Sequence, residues 1–326
     1  MEQTMGYTKV TFSGTSEQIN EQWHEARKNG IGGSDVAALM GLNKYKSPLS
    51  LWLEKTGRAE SPDLSGNDAI FWGNVLEPVI ADRFQQEHPD WTVKEPNAMF
   101  VSKERPWAFA NLDRIVIDDQ MEESVLEIKT VGFRRASDWD NGVPLYYQTQ
   151  VIHYMSVTGM KRAYVAVLIG GQEYREYVLE PDSDDVAAVR SAVDEFWRDY
   201  VEADAMPALV GTDDEGGALL ELYNRPEADM TNVSPEEEFD DWVSEIESAN
   251  ARIKELQAHV DLLKNKVKQR IGNHDGAISD VYQVKWSRGE STKFDAKRFK
   301  KENPELAQEY TATCNRDGGI RIKELI

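Results

Sequence analysis

Asp113 and the triplet Glu127-Ile128-Lys129 are the residues of this chain best suited to chemistry. Asp113 opens onto the apolar run Arg114-Ile115-Val116-Ile117. After a short polar turn comes Ser124-Val125-Leu126-Glu127-Ile128-Lys129-Thr130. Successive residues of a strand point to opposite faces, so Glu127 and Lys129 share one face while Leu126 and Ile128 turn the other way, into a core. If the two runs pair, two carboxylates and an ammonium occupy one small volume. Buried like charges repel unless a cation neutralises them, and Asp and Glu oxygens suit a hard divalent ion, Mg²⁺ first among them. A lysine beside such an ion orients or helps to deprotonate a water, or offsets charge on a pentacovalent phosphate. That is the chemistry of metal-assisted phosphodiester hydrolysis.

A surface salt bridge between hairpin strands accounts for the same residues. Among 58 acidic and 37 basic side chains an acid-x-Lys triplet arises easily, as Asp295-Ala296-Lys297 shows. The two triplets differ in setting. Glu127 lies inside a strand-like run entered from another that bears Asp113, whereas Asp295 precedes Lys297-Arg298 and reads as a helix start.

Three other places supply residues for the same chemistry. Trp72-Gly73-Asn74-Val75-Leu76-Glu77 sets Glu77 among apolar neighbours, where a metal or a basic partner would offset its burial, although a polar helix edge accommodates it too. Arg27 precedes Gly30-Ile31-Gly32-Gly33-Ser34, a glycine-rich turn opening a helix whose NH groups suit a phosphate, or simply a tight turn. Tyr146 to Met155 carries Gln150 and His153 close to one helix face.

The elements that must position these residues are readable from periodicity and breakers. Helices are expected over 16 to 28, from a Ser34 or Asp35 cap through Met40, from Pro48 to Gly57, and over 69 to 86, where Pro78 either kinks the helix or marks its start. Strands are expected near 91 to 95, 98 to 102, 107 to 117 and 123 to 130, and a helix over 144 to 158. Ala163–Ile169 and Glu173–Leu179 form a hairpin, followed by a helix over 182 to 203. Residues 211 to 235 have a linker's composition. Beyond them Trp242, Ile246, Ala249, Ile253, Leu256, Val260, Leu263 and Val267 step by 4, 3, 4, 3, 4, 3, 4, a heptad seam that suits either a helix packed on a core or a coiled coil. Residues 277 to 286 read as strand and 295 to 310 as helix.

The chain has 326 residues, 40% of them hydrophobic, ample for a sizeable core. No apolar run approaches the roughly 20 residues that span a bilayer, and the N-terminus has no apolar signal segment. The lone Cys314 fits a reducing cytoplasm. The net charge of −21 runs against phosphate binding, but its distribution is uneven. Residues 1 to 160 carry −8, residues 161 to 240 carry −15, and residues 241 to 326 carry +2, with 13 basic and 6 acidic side chains between 252 and 301.

Taken in order, Arg27 with Gly-Gly-Ser-Asp, Trp-Gly-x-x-x-Glu, Asp113, Glu-x-Lys and Gln150-Val151 resemble the phage λ-exonuclease/YqaJ recombinase family, a branch of the PD-(D/E)XK nuclease superfamily. The resemblance covers about Arg27 to Gly159. It departs from the superfamily pattern in placing Asn111-Leu112, not proline, before Asp113.

The resemblance implies an α/β fold, a restriction-endonuclease-like core with a mixed central sheet flanked by helices. The division expected is a nuclease domain over 1–210, a linker over 211–235 and a long-helix extension over 236–326. It implies Mg²⁺, with Mn²⁺ as a substitute, held by Asp113, Glu127 and the Ile128 carbonyl with Glu77 beside them. Lys129 would position or activate water, and Arg27, Ser34 and Gln150 would grip a terminal 5′-phosphate. The activity implied is 5′→3′ digestion of one strand of linear duplex DNA, leaving 3′ overhangs for recombination with a single-strand annealing protein. A homo-oligomer, some relatives being rings around DNA, and a phage or prophage origin in a bacterial cytoplasm complete the expectation. Competing readings are a related nuclease with endonucleolytic or single-strand preference, and a non-catalytic acidic interaction module.

Overall fold

The computed structural model describes residues 6–60, 66–224, 230–234, 237–311, 320 and 322. It divides into two units, Met1–Asn224 and Arg225–Ile326. The first is organised by strand β6 (Glu123–Val131), whose alternation is the one the sequence predicts. Val125 points into one apolar layer, and Leu126 and Ile128 into another.

Three further elements of the first unit, β1 (Tyr7–Val10), β3 (Met99–Ser102) and β4 (Phe109–Ala110), make a small sheet in the order β1-β3-β4. The central sheet runs β2-β5-β6-β7-β8, with β2 at Thr92–Lys94, β5 at Arg114–Ile117, β7 at Ala163–Ile169 and β8 at Glu173–Leu179. Only β6 and β7 are parallel, so the sheet is mixed. The continuous strand expected over 107 to 117 is in fact two. Residues 111–113 carry the chain from the small sheet to the central one, and Asp113 sits at that crossing.

Helices cover both faces. On one side α2 (Gly33–Leu39), α3 (Pro48–Lys55), α5 (Leu145–Thr158) and α6 (Ser183–Glu195) surround the larger apolar layer, to which the earlier helix α1 (Ser16–Lys28) gives no described residue, and α6 continues as a π-helical turn over Phe196–Glu202. On the other side α4 (Asp68–Glu87) packs Ile80, Ala81 and Phe84 against Val116, Leu126, Ile128 and Tyr164. The helix continues past Pro78, which is therefore not its start. Its apolar stripe is only half used, since Phe71, Trp72, Val75 and Val79 stay exposed.

The linker expected over 211 to 235 begins later. Helix α7 (Glu215–Leu222) packs on α3 with Ala218 buried, and Asp214 accepts hydrogen bonds from the Ser47 NH (2.8 Å) and hydroxyl (2.9 Å). The first unit therefore extends to Asn224.

In the second unit, α8 (Glu237–Ile271) carries the heptad seam. The strand expected over 277 to 286 is a hairpin of β9 (Gly276–Ile278) and β10 (Gln283–Lys285). The helix expected over 295 to 310 is split into α9 (Ala296–Glu302) and α10 (Pro304–Glu309). Pro304 forces its predecessor away from helical backbone, and Asn303 lies at φ −134°, ψ 63°. Among the described residues, no helix is long and apolar enough to cross a membrane.

Candidate active site

Sandwiched between two apolar layers, β6 cannot twist its polar face into water. Glu127 is 1% exposed. Its Oε1 accepts from Gln150 Nε2 at 2.6 Å and pairs with Lys129 Nζ, while its Oε2 is buried without a partner. Extending the β5–β6 register by one residue brings Asp113 opposite Glu127, and the Ile128 NH donates to Asp113 Oδ2 at 2.8 Å.

The electrostatics follow from that packing. Burial foremost, then the Glu127 charge, pushes Asp113 up to about 7. Burial also raises Glu127, against the opposing pull of Lys129. Burial alone would depress Lys129, but Glu127 and Asp113 outweigh it and hold the ammonium above its ordinary value. The Lys129 ammonium also sits 4.9 Å from the Tyr147 ring centre. Two desolvated carboxylates and an orphaned carboxylate oxygen form a donor set short of positive charge, which fits a hard divalent cation.

Glu77 reaches the same neighbourhood from α4, but its carboxylate is claimed by Arg114 at 2.6 Å. It is half-buried, and burial followed by Asp113 raises its pKa against the pull of Arg114. Among the described residues, no three His, Cys, Asp or Glu side chains meet as a cage. Any ion here relies on two carboxylates and backbone oxygen, with Glu77 at the rim.

The glycine turn is positioned by close packing. The Ile31 NH donates to the Trp107 carbonyl at 2.6 Å, and the Phe109 NH donates back to Ile31 at 3.1 Å. A Cβ on Gly32 would lie 2.6 Å from the Phe109 ring, and one on Gly33 would collide with the Tyr154 ring. Glycine therefore lets α2 press against α5. Arg27 Nη2 donates to Ser34 Oγ at 2.9 Å and pairs with Asp35 at 3.4 Å. Asp35 is buried, caps the Gly32 NH at 3.1 Å and pairs with Lys55 at 2.9 Å. Burial pushes Asp35 up, but Lys55, Arg27 and Lys46 together hold it well below the usual carboxylate range.

Gln150 joins the two clusters. Its amide NH₂ donates to Glu127 and, at 2.8 Å, to the Tyr154 hydroxyl, while its Cγ would lie 2.9 Å from a Cβ on Gly33. The structure thus brings Glu127, Lys129 and Gln150 into contact with Asp113 opposite Glu127, and pairs Arg27 with Ser34 next to Gly33, against which Gln150 packs. His153 instead faces away. It is buried against the Phe109 carbonyl at 3.0 Å, and burial lowers its pKa to about 4.

Lys55, Arg114, Tyr147 and Tyr154 escape sequence reasoning. Tyr154 carries a faint signal as the i+4 neighbour of Gln150 on a helix. Lys55 has none, because its partner Asp35 arrives from another helix.

A family model describing a YqaJ-like viral recombinase domain matches residues 22–161. The chain is 31% identical over 298 residues to the uncharacterised protein YqaJ of Bacillus subtilis (strain 168), across 89% of this chain and 90% of that one. A protein of African swine fever virus is 34% identical over 71 residues, 22% of this chain and 20% of its own length. Among solved structures, an alkaline exonuclease from Laribacter hongkongensis superposes with a TM-score of 0.46 and 21% identity, covering 56% of this chain and 93% of that one.

Proposed function

The chain belongs to the YqaJ-like viral recombinase family, and from that membership and the geometry of its site we propose that it is a Mg²⁺-dependent 5′→3′ exonuclease acting on linear duplex DNA. The observation that carries the reading is the pairing of Asp113 and Glu127, with the orphaned Glu127 Oε2, beside a charged Lys129. Gln150 donates to Glu127 and packs against Gly33, the residue before Ser34, whose hydroxyl accepts from Arg27.

Asp113, Glu127 and the Ile128 carbonyl are the residues that would hold Mg²⁺, or Mn²⁺ in its place, with Glu77 next to them. Bound there, the ion would supply Lewis-acid charge to the scissile phosphate and acidify a water. Lys129, held protonated by its two acidic neighbours, suits hydrogen bonding to water or a phosphate oxygen rather than abstracting the first proton. Gln150 orients the Glu127 carboxylate. Arg27, braced by Asp35 and stacked 4.7 Å from the Trp23 ring centre, presents its guanidinium beside the Ser34 hydroxyl, a pairing suited to a terminal phosphate. Holding the 5′ end there fixes which strand is cut and leaves a 3′ overhang, the substrate a single-strand annealing partner requires.

The test is digestion of linear duplexes, 5′-phosphorylated or 5′-hydroxyl, with Mg²⁺. Wild type should release mononucleotides from phosphorylated ends, and Asp113→Ala and Lys129→Ala should spare the DNA. Arg27→Ala should lose the preference for phosphorylated ends. Inactive wild type, or active Asp113→Ala, defeats the catalytic reading. Cleavage of closed circles, or unchanged end preference in Arg27→Ala, defeats the end-directed one and favours an endonuclease.

A further inference from the structure

Helix α8 presents an apolar seam that is open along its length: Trp242 is 55% exposed, Ile253 63% and Leu256 64%. The heptad assignment puts Ile246, Ile253, Val260 and Val267 at a, and Trp242, Ala249, Leu256 and Leu263 at d. Charge is segregated along the same helix. Residues 237 to 247 contain six acids and no cation, and residues 264 to 270 contain four cations and no acid.

Both features bear on what covers the seam. A parallel, in-register copy would stack Trp242 on Trp242 of the partner subunit and Ala249 on Ala249 of the partner subunit, a crowded layer and a hole. It would also superpose acidic end on acidic end. An antiparallel copy resolves each conflict. Pairing Ile253 with Leu256 of the partner subunit sets Ile246 against Leu263 of the partner subunit, Ala249 against Val260 of the partner subunit, and Trp242 against Val267 of the partner subunit. In that register Glu245 faces Lys266 of the partner subunit across the flank. The Trp242 end also meets a prepared surface. Near the C-terminus of α8, Val260, Leu263, Val267, Val284 and Trp286 line an apolar groove of about 390 Å³ rimmed by Lys264, Lys268 and Lys285. An acidic amphipathic helix end with a tryptophan is what such a groove accommodates.

We infer that α8 is a self-association element that pairs antiparallel with α8 of a second copy of this chain, seating Trp242 of each in the groove of the other. The pairing is isologous, so one two-fold operation fills both grooves.

Cysteine crosslinking tests it in the full-length chain with Cys314→Ser as background. Ile246→Cys/Leu263→Cys should give a disulfide-linked dimer under mild oxidation, whereas either single substitution should stay monomeric on denaturing gels, because neither position faces itself. The two positions are 17 residues apart on one helix, about 25 Å, too far to link within a chain. Adding Leu256→Glu to the double variant should abolish the link. Glu245→Lys should reduce its yield severalfold and Glu245→Lys/Lys266→Glu should recover it. Links in the single variants would show parallel pairing, and no link in the double variant would show that α8 does not self-associate. Either result overturns the inference and leaves the nuclease reading untouched.

Discussion

Asp113→Asn should stabilise the metal-free protein at neutral pH while abolishing its response to Mg²⁺. The Asp113 carboxyl is pushed from its ordinary 3.8 up to about 7 by burial and by Glu127. An acid whose folded value is raised binds its proton more tightly folded than unfolded. Its destabilising effect is therefore absent below pH 4, grows as pH rises through the interval, and is complete above 7. Each pH unit of that interval is worth about 1.4 kcal/mol, so the full cost is about 4 kcal/mol, a ceiling because the residue keeps a partly exposed edge. Asparagine keeps an oxygen for the Ile128 NH and carries no charge. Across a unit of this size the difference corresponds to a Tm shift of roughly 10 °C. The assay is thermal unfolding in EDTA from pH 4 to 8 for both proteins, repeated with Mg²⁺. The wild-type curve should fall relative to Asp113→Asn between pH 4 and 7, and Mg²⁺ at a hundred times its Kd should restore about 2.7 kcal/mol to wild type alone. Parallel curves in EDTA, or equal rescue of both proteins, would refute the electrostatic account.

Other expectations follow from named contacts. Lys55→Met strips the nearest cation from buried Asp35 and should cost about 3 kcal/mol in urea unfolding, most of it recovered by adding Asp35→Asn; additive losses would show that the two residues do not interact. Gly33→Ala drives a methyl into the Tyr154 ring and should cost about 1–3 kcal/mol, and an unchanged unfolding midpoint would mean that α2 and α5 are looser than described. His153, lowered to about 4 by burial, contributes stability that is present above its ordinary 6.5 and is lost as pH falls from 6.5 to 4. His153→Gln should flatten that acid limb, and a limb of unchanged steepness would assign it to other groups.

The central strands are legible because their burial is two-sided and regular. Val125, Leu126 and Ile128 alternate between two apolar layers, and Ala163–Ile169 does the same beside them. Glu127 and Lys129 are therefore readable as neighbours on one face before any fold is known. What is not readable is what tertiary packing decides. The crossing at 111–113 hides inside an apolar stretch that looks like one strand. Helix α7 hides under two glycines and acids that resemble a linker, and its role comes from Asp214 meeting Ser47 more than 160 residues away. The exposed stripe of Phe71, Trp72, Val75 and Val79 has a core helix's pattern without a core helix's burial. Lys55 and Asp35 are each unremarkable in sequence, and only the packing of α2 on α3 makes them a pair.

The cost of the site and its use have the same origin. Leu126 and Ile128 fix β6 against α4, and Val125 fixes it against the opposite layer, so Glu127 and Asp113 cannot rotate outward to recover hydration. In the metal-free protein Lys129, Gln150 and the Ile128 NH satisfy three carboxylate contacts and leave Glu127 Oε2 with none. Whatever free energy this strands in the folded state would return on binding of the proposed divalent cation, so rigidity of the sheet would convert directly into affinity. Substitutions that relieve the repulsion should therefore make a more stable protein and a poorer metal site together. Loosening the β6 core without touching an acid should weaken metal binding by letting the carboxylates reach water instead.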